Sequence, residues 1–168
     1  QSSATGELAV LLRQERDRRD LTALEEAKRI SDGYSSKYAS SRNQYKNLPK
    51  VSARSQTAIN AALSQLGVPY RYARSSPGVA FDCSGLTTFA WAKAGVGLPR
   101  NSRQQFNALP HVPQSMAMPG DLMFYGSPIG HVGIYLGGGR LVHAPQTGDV
   151  VKISAIRWNR VIGVARPG

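Results

Sequence analysis

One cysteine, Cys83, occurs in 168 residues. A single thiol forms no intrachain disulfide and excludes the multi-cysteine zinc frameworks. Carboxylates are scarce as well: ten Asp and Glu face 21 Lys and Arg, a formal net charge of +11. Beyond residue 50 there are eleven cations and three acids, Asp82, Asp121 and Asp149. So basic a surface attracts anionic partners at long range. Nucleic acid is not expected among them, because the sequence has no stacking-aromatic motif or recognition-helix pattern. A phosphate- or carboxylate-bearing cell envelope fits the charge, as does a merely soluble basic surface. No apolar run approaches the ~18 residues of a membrane span, so no transmembrane segment is predicted. The chain starts at Gln1 rather than Met, which reads as a processed or trimmed piece from which any signal peptide would already be gone, so the absence of one decides nothing.

What is present divides into two textures. Residues 1–50 are rich in charge and Ser, with no proline before Pro49. Leu8, Leu11 and Leu12 begin a helical stripe, continued by Leu24, Ala27, Ile30, Tyr34 and Tyr38. Thr22 to Glu25 reads as a capping box, and Glu25 with Arg29 adds i,i+4 support. One or two amphipathic helices are expected, with a break at Gly33 and a Ser- and Asn-containing linker over 39–50. Residues 51–168 form the expected compact domain. Ile59, Ala62, Leu63 and Leu66 predict a helix stopped by Gly67 and Pro69. A second helix is predicted from Asp82 to Lys93 or Ala94, and a short one after Ser102. Short apolar stretches at 121–125, 132–136, 140–144, 150–153 and 161–166 are bounded by Gly, Pro or Asn and read as strands. Helices followed by a strand meander predict an α+β domain, with helices packed on a central antiparallel sheet.

The chemistry concentrates on Cys83, His131 and His143. Asp82 is a good N-cap, which makes Cys83 the first helical residue, beside unpaired N–H groups and the positive end of the helix dipole. With a histidine nearby, such a setting lowers a thiol pKa from about 8.5 into roughly 3.5–7.5, and the backbone N–H there is an oxyanion donor. A structural cysteine packed under the sheet is the alternative. The histidine strands flank Gly137-Gly138-Gly139. A reversal there places His143 opposite His131 or on its diagonal, with Cβ atoms roughly 4.5–8 Å apart. A base backed by an orienting group is the recurring device for activating a nucleophile. One Cys and two His also form a known zinc set, disfavoured here by the shortage of carboxylates to orient the ligands. His111, between Pro110 and Val112, is read as a loop residue without function.

Gly67-Val68-Pro69-Tyr70, Phe81-Asp82-Cys83-Ser84-Gly85-Leu86, Leu98-Pro99-Arg100, Pro119-Gly120-Asp121-Leu122 and His131-Val132-Gly133-Ile134-Tyr135 occur in that order. Together they resemble the NlpC/p-sixty family of papain-like cell-wall peptidases, and within it the mycobacterial Rip-type peptidoglycan hydrolases. The resemblance covers about residues 52–168. It implies a papain-like NlpC-type fold and hydrolysis of an amide in peptidoglycan stem peptides, commonly between D-glutamate and meso-diaminopimelate. It implies Cys83 as nucleophile, His131 as base and His143 as third polar member. Tyr70 is implied at the oxyanion site, and Asp82 and Ser84 at positions that hold a substrate amine in some members. No metal or organic cofactor is implied, and the location is secreted or wall-associated.

Two departures stand out: Tyr72-Ala73-Arg74 replaces a common Trp-Gly-Gly stretch, and several Rip-type relatives carry Glu as third member where this chain has His143. Asp121 is expected to anchor a turn. Arg71, Arg74, Arg100 and Arg103 are candidates to meet stem-peptide carboxylates or anionic wall polymers. The alternatives to an endopeptidase are a non-catalytic wall-binding module and an acyltransferase on the same scaffold. Residues 1–50 are either a spacer or a regulatory segment that covers the cleft or engages a partner.

Overall fold

The computed structural model describes residues 2–168, with side chains at all of them except 2, 3, 27, 28 and 30–35. The chain divides after Lys37 into two units. The first is one helix, α1 (Ser2–Lys37), about 54 Å long at 1.5 Å per residue. It passes Gly33 without interruption. Thr22 does not cap a second helix. Its hydroxyl donates to the Arg18 carbonyl at 2.9 Å, the back-bond open to threonine inside a continuous helix. Arg29 pairs with Glu26 at 2.6 Å rather than with Glu25, since i,i+3 spacing serves as well as i,i+4. Leu8, Leu11, Leu12, Leu21 and Leu24 are exposed. The expected burial of Ala27, Ile30 and Tyr34 lies outside the described side chains.

The second unit, residues 38–168, opens with α2 (Ala39–Tyr45) inside the stretch read as linker. Tyr45 is buried there, and its carbonyl accepts from the Gln56 side chain at 2.8 Å. Helix α3 (Ala53–Leu63) is capped by Ser52, whose hydroxyl accepts from the Ser55 N–H, and buries Ala58, Ile59, Ala62 and Leu63. A two-stranded ladder of β1 (Ser75–Ser76) and β2 (Ala80–Phe81) leads into α4 (Cys83–Lys93). Helix α5 (Ser102–Ala108) begins at Asn101, whose side chain caps it.

Six antiparallel strands complete the domain: β3 (His111–Val112), β4 (Leu122–Tyr125), β5 (His131–Gly137), β6 (Arg140–His143), β7 (Lys152–Ala155) and β8 (Val161–Ala165), in spatial order β3-β8-β4-β5-β6-β7. The period-two alternation of side chains sorts them by face. Leu122, Phe124, Val132, Ile134 and Val142 join Ile59, Leu63, Leu86 and Trp91 in the main core. Met123, Leu141, Val161 and Val164 build a smaller cluster with Ile156 on the other face. His111, read as a loop residue, pairs with Ala165 in the edge strand β3. Asp121 anchors a turn as expected, accepting from the Met118 N–H at 2.8 Å, and it also holds Arg166 at 2.9 Å.

Helix α4 is fixed sideways by Gln105, which is fully buried. Its Oε1 accepts from the Thr87 hydroxyl at 2.8 Å, and its Nε2 donates to the Pro99 carbonyl at 2.9 Å and the Thr88 hydroxyl at 3.1 Å. Every polar atom of this amide is satisfied, which is what makes its burial tolerable. Gln105→Leu takes the amide donor from the Pro99 carbonyl and leaves the Thr87 and Thr88 hydroxyls only the Ser84 carbonyl, and is expected to lower stability by about 1–3 kcal/mol. A shifted urea midpoint at unchanged slope would show it, and an unchanged midpoint would mean that the network contributes nothing.

Candidate active site

Cys83 is the first residue of α4 because Asp82 ends the preceding extended segment and caps the helix. The Asp82 Oδ1 accepts from the Gly85 N–H at 2.6 Å. Asp82 is itself held from outside. Arg100 reaches it with both terminal nitrogens, Nη1 to Oδ1 and Nη2 to Oδ2, each at 3.0 Å, and Nη1 also donates to the Ser84 hydroxyl at 3.0 Å. Such a two-pronged guanidinium–carboxylate pair is strong and directional. Arg100 is thereby committed to Asp82, which changes its standing as a free cation for substrate carboxylates. Tyr70, Asp82, Cys83, Ser84, Arg100 and Gly130 line one depression of about 330 Å³. The sequence-derived candidates Tyr70, Asp82, Cys83 and Ser84 are thus brought together.

The histidines come from the β5–β6 hairpin. Ile134 pairs with Val142 and Tyr135 with Leu141, so His143 falls opposite Gly133 and diagonal to His131, one of the two registers expected. The His131 Nε2 lies 2.8 Å from the His143 Nδ1, and the His143 Nε2 lies 2.9 Å from the Ser154 hydroxyl on β7. Gly133 makes room for this. A Cβ there would strike the Leu141 side chain and come within 3.1 Å of the His143 Cβ. With its Nε2 engaged, His131 has only Nδ1 left to serve as a base. Next along the chain, the Val132 N–H is directed at the Cys83 sulfur, as are the N–H groups of Cys83 and Ser84.

The electrostatics differ from the expected low-pKa thiol. Burial is the largest influence and pushes the Cys83 thiol up, with the Asp82 charge adding to it; the three N–H groups pull the other way without prevailing. The helix end is less positive than a bare terminus, since the carboxylate that caps it offsets the dipole. Burial likewise drives His131 down to about 4. His143 is also down to about 4, through burial first and then the neighbouring His131 and Lys152. The resting pair is therefore neutral, thiol and imidazole. Tyr70 is pushed up by burial and then by Cys83 and Asp82, so its hydroxyl stays protonated as a donor.

His111 packs on Phe106 with ring centroids 4.2 Å apart, and its Nε2 meets the Phe106 carbonyl at 2.7 Å, a structural role. Among the described residues no group of three or more His, Cys, Asp and Glu is disposed to hold a metal ion; the facing ring nitrogens of His131 and His143 bond to each other. Ser154 and Gln105 are not legible in the sequence as parts of the site, and Arg100, expected to meet substrate carboxylates, instead holds Asp82. Leu98-Pro99-Arg100 was visible as a motif, but nothing local in Ser154 or Gln105 distinguishes them from surface polar residues.

The comparisons agree on family. The sequence profile of the NlpC/P60 family matches residues 67–163, more than half of the chain. The probable endopeptidase p60 of Listeria monocytogenes is 45% identical over 92 residues, covering 54% of this chain and 19% of that protein. Peptidoglycan endopeptidase RipB of Mycobacterium tuberculosis is 41% identical over 125 residues, covering 66% of this chain and 52% of RipB. The chain thus spans about half or less of these curated relatives. Among solved structures, M. tuberculosis RipD, described as a non-catalytic NlpC/p60 domain protein adapted to peptidoglycan binding, superposes with a TM-score of 0.60 at 35% identity, covering 69% of this chain and 98% of that one. The sheet, the helices and these matches lead to one conclusion: this chain belongs to the NlpC/P60 family.

Proposed function

We propose that the chain is a cysteine peptidase of peptidoglycan, hydrolysing an amide in the stem peptide, with the D-glutamyl–meso-diaminopimelate bond as target. It works outside the cytoplasm, at the cell wall. The observation that carries this reading is the hydrogen bond between His131 Nε2 and His143 Nδ1, which leaves His131 Nδ1 as its available lone pair, on the residue before the Val132 N–H that is directed at the Cys83 sulfur. RipB and p60 are named endopeptidases, and RipD is the counter-example of a binding module. A thiol and two imidazoles in one ordered arrangement favour the enzyme over the binder.

The roles follow from the atoms. His131 Nδ1 takes the thiol proton as substrate enters, and the sulfur attacks the amide carbon. The carbonyl oxygen gathers charge against the Cys83 N–H, which turns from the sulfur to the oxyanion, and the Tyr70 hydroxyl in the lining of the same cleft. Collapse breaks the C–N bond as His131 returns the proton to the departing amine, leaving a thioester. Water, deprotonated by His131, then releases the acid and restores the thiol. His143 holds His131 in the tautomer with its proton on Nε2, and Ser154 accepts from the His143 Nε2–H in turn. Asp82 fixes the nucleophile's helix. Since Arg100 already matches its charge, any substrate amine at Asp82 and Ser84 would share the carboxylate with that guanidinium.

Cys83→Ala is expected to abolish release of new amine termini from purified peptidoglycan, by about 10⁴-fold or more, while sedimentation with the wall persists. Undiminished products by mass analysis would overturn the mechanism, and no products from native protein would favour the binder. The pH dependence has a definite sign. Protonating His131 removes the base, and its pKa lies near 4, so kcat/KM should fall only as pH drops through about 4. On the alkaline side the raised thiol should carry activity beyond the usual cysteine range. An acid limb centred near 6.5, the unperturbed value, would contradict a buried neutral imidazole. Ser154→Ala should lower kcat about tenfold, one hydrogen bond's worth, with little change in KM; an unaltered kcat would remove Ser154 from the relay.

A further inference from the structure

Two depressions take adjacent residues at the start of β5 into their linings. The cleft at Cys83 includes Gly130. A larger cavity of about 820 Å³ is lined by residues that include His131, His143, Leu141, Ile162, Arg157 and Arg160. No Asp or Glu lines it. The three acids beyond residue 50 are each committed to another cation: Asp82 to Arg100, Asp121 to Arg166 and Asp149 to Lys152. Arg157 and Arg160 have no ion-pair or side-chain hydrogen-bond partner among the described residues, and they are the two cations at this cavity.

Their position is fixed by the backbone that bears them. Ile156 is buried and its N–H donates to the Gly139 carbonyl at 2.8 Å. The following 3-10 turn, Trp158–Arg160, is pinned by an edge-to-face contact of Trp158 on Tyr135 with centroids 5.7 Å apart. Two guanidinium groups are therefore presented over a partly apolar wall formed by Leu141 and Ile162.

We propose that this cavity receives the amine-bearing side of the substrate, and that Arg157 and Arg160 hold a free carboxylate on the residue whose nitrogen departs. The proposal rests on the hydrolase reading above. His131 must deliver its proton to the leaving nitrogen within hydrogen-bond reach, so the residue carrying that nitrogen lies against His131, which lines this cavity. In an amino-acid leaving group the carboxyl carbon is two bonds from the nitrogen. Guanidinium groups match carboxylates in geometry as well as charge, which gives them selectivity over a neutral amide. The apolar wall suits the methylene chain of a diamino acid.

The test compares γ-D-glutamyl-meso-diaminopimelate having free diaminopimelate carboxylates with the same dipeptide amidated there. Native protein should prefer the free acid in kcat/KM by roughly 10–100-fold, the range of charge-assisted hydrogen bonds. The double variant Arg157→Gln/Arg160→Gln should lose that preference and cleave the amidated dipeptide as native protein does. Equal losses on both dipeptides, or a preference that survives in the variant, would overturn the proposal. Titration with meso-diaminopimelate alone separates this from failure of the hydrolase reading. Should native protein cleave neither dipeptide, binding of the free acid weakened roughly 10–100-fold in the double variant still supports the subsite, and equal binding overturns it. Arginine-dependent binding of a glycerol phosphate polymer, with no discrimination between free acid and amide, would also overturn it, in favour of an anionic-polymer site.

Discussion

The register of β5 against β6 is the constraint on which the site depends. The β5 strand supplies three things within three residues: the His131 ring at its start, the Val132 N–H aimed at the Cys83 sulfur, and the bare Cα of Gly133. Side chains alternate between faces with a period of two, so a one-residue slip would turn His143 to the opposite face of the sheet. The hairpin is closed by Gly137, Gly138 and Gly139, all with positive φ, a run of backbone that residues with a Cβ enter at a cost. Packing of Val132 and Ile134 into the core under α4 then secures the strand against the helix that bears Cys83. The placement of Cys83, His131 and His143 is thus a by-product of core formation.

Burial also sets the protonation states. A thiol and an imidazole taken out of water favour their neutral forms, so burial opposes charge separation between them. The Asp82 cap contributes to this. It satisfies the first turn of α4, yet it places a carboxylate beside the sulfur and resists thiolate formation. Arg100 compensates by holding that carboxylate from the far side. Stabilising the helix and ionising the thiol therefore compete at one residue, and the resting structure is weighted towards stability.

Much of this was legible along the chain. The Asp-Cys start of α4, the stop at Gly95, the five strand positions after Pro119 and the pairing of His131 with His143 all follow from local signals, caps, glycines and alternation. Features that depend on partners distant in sequence were not. Gln105 looks like any polar helix residue until Thr87, Thr88 and Pro99 close around it. Ser154 acquires meaning only when β7 pairs with β6 and brings it to His143. The thiol pKa was misjudged for a related reason. Helix dipole and capping are read locally, whereas desolvation is a property of the assembled core. In α1, a threonine at cap-like spacing proved to be interior, because a hydroxyl can bond back within a helix as well as start one.

The central claim is a neutral His131 with its proton on Nε2, donated to His143, and a bare Nδ1 left to act as the base. Nitrogen NMR of the histidine rings at neutral pH reads this directly. The account requires His131 to show a protonated Nε2 coupled across the hydrogen bond to an unprotonated His143 Nδ1. A His131 ring protonated at both nitrogens, or carrying its single proton on Nδ1, would contradict it.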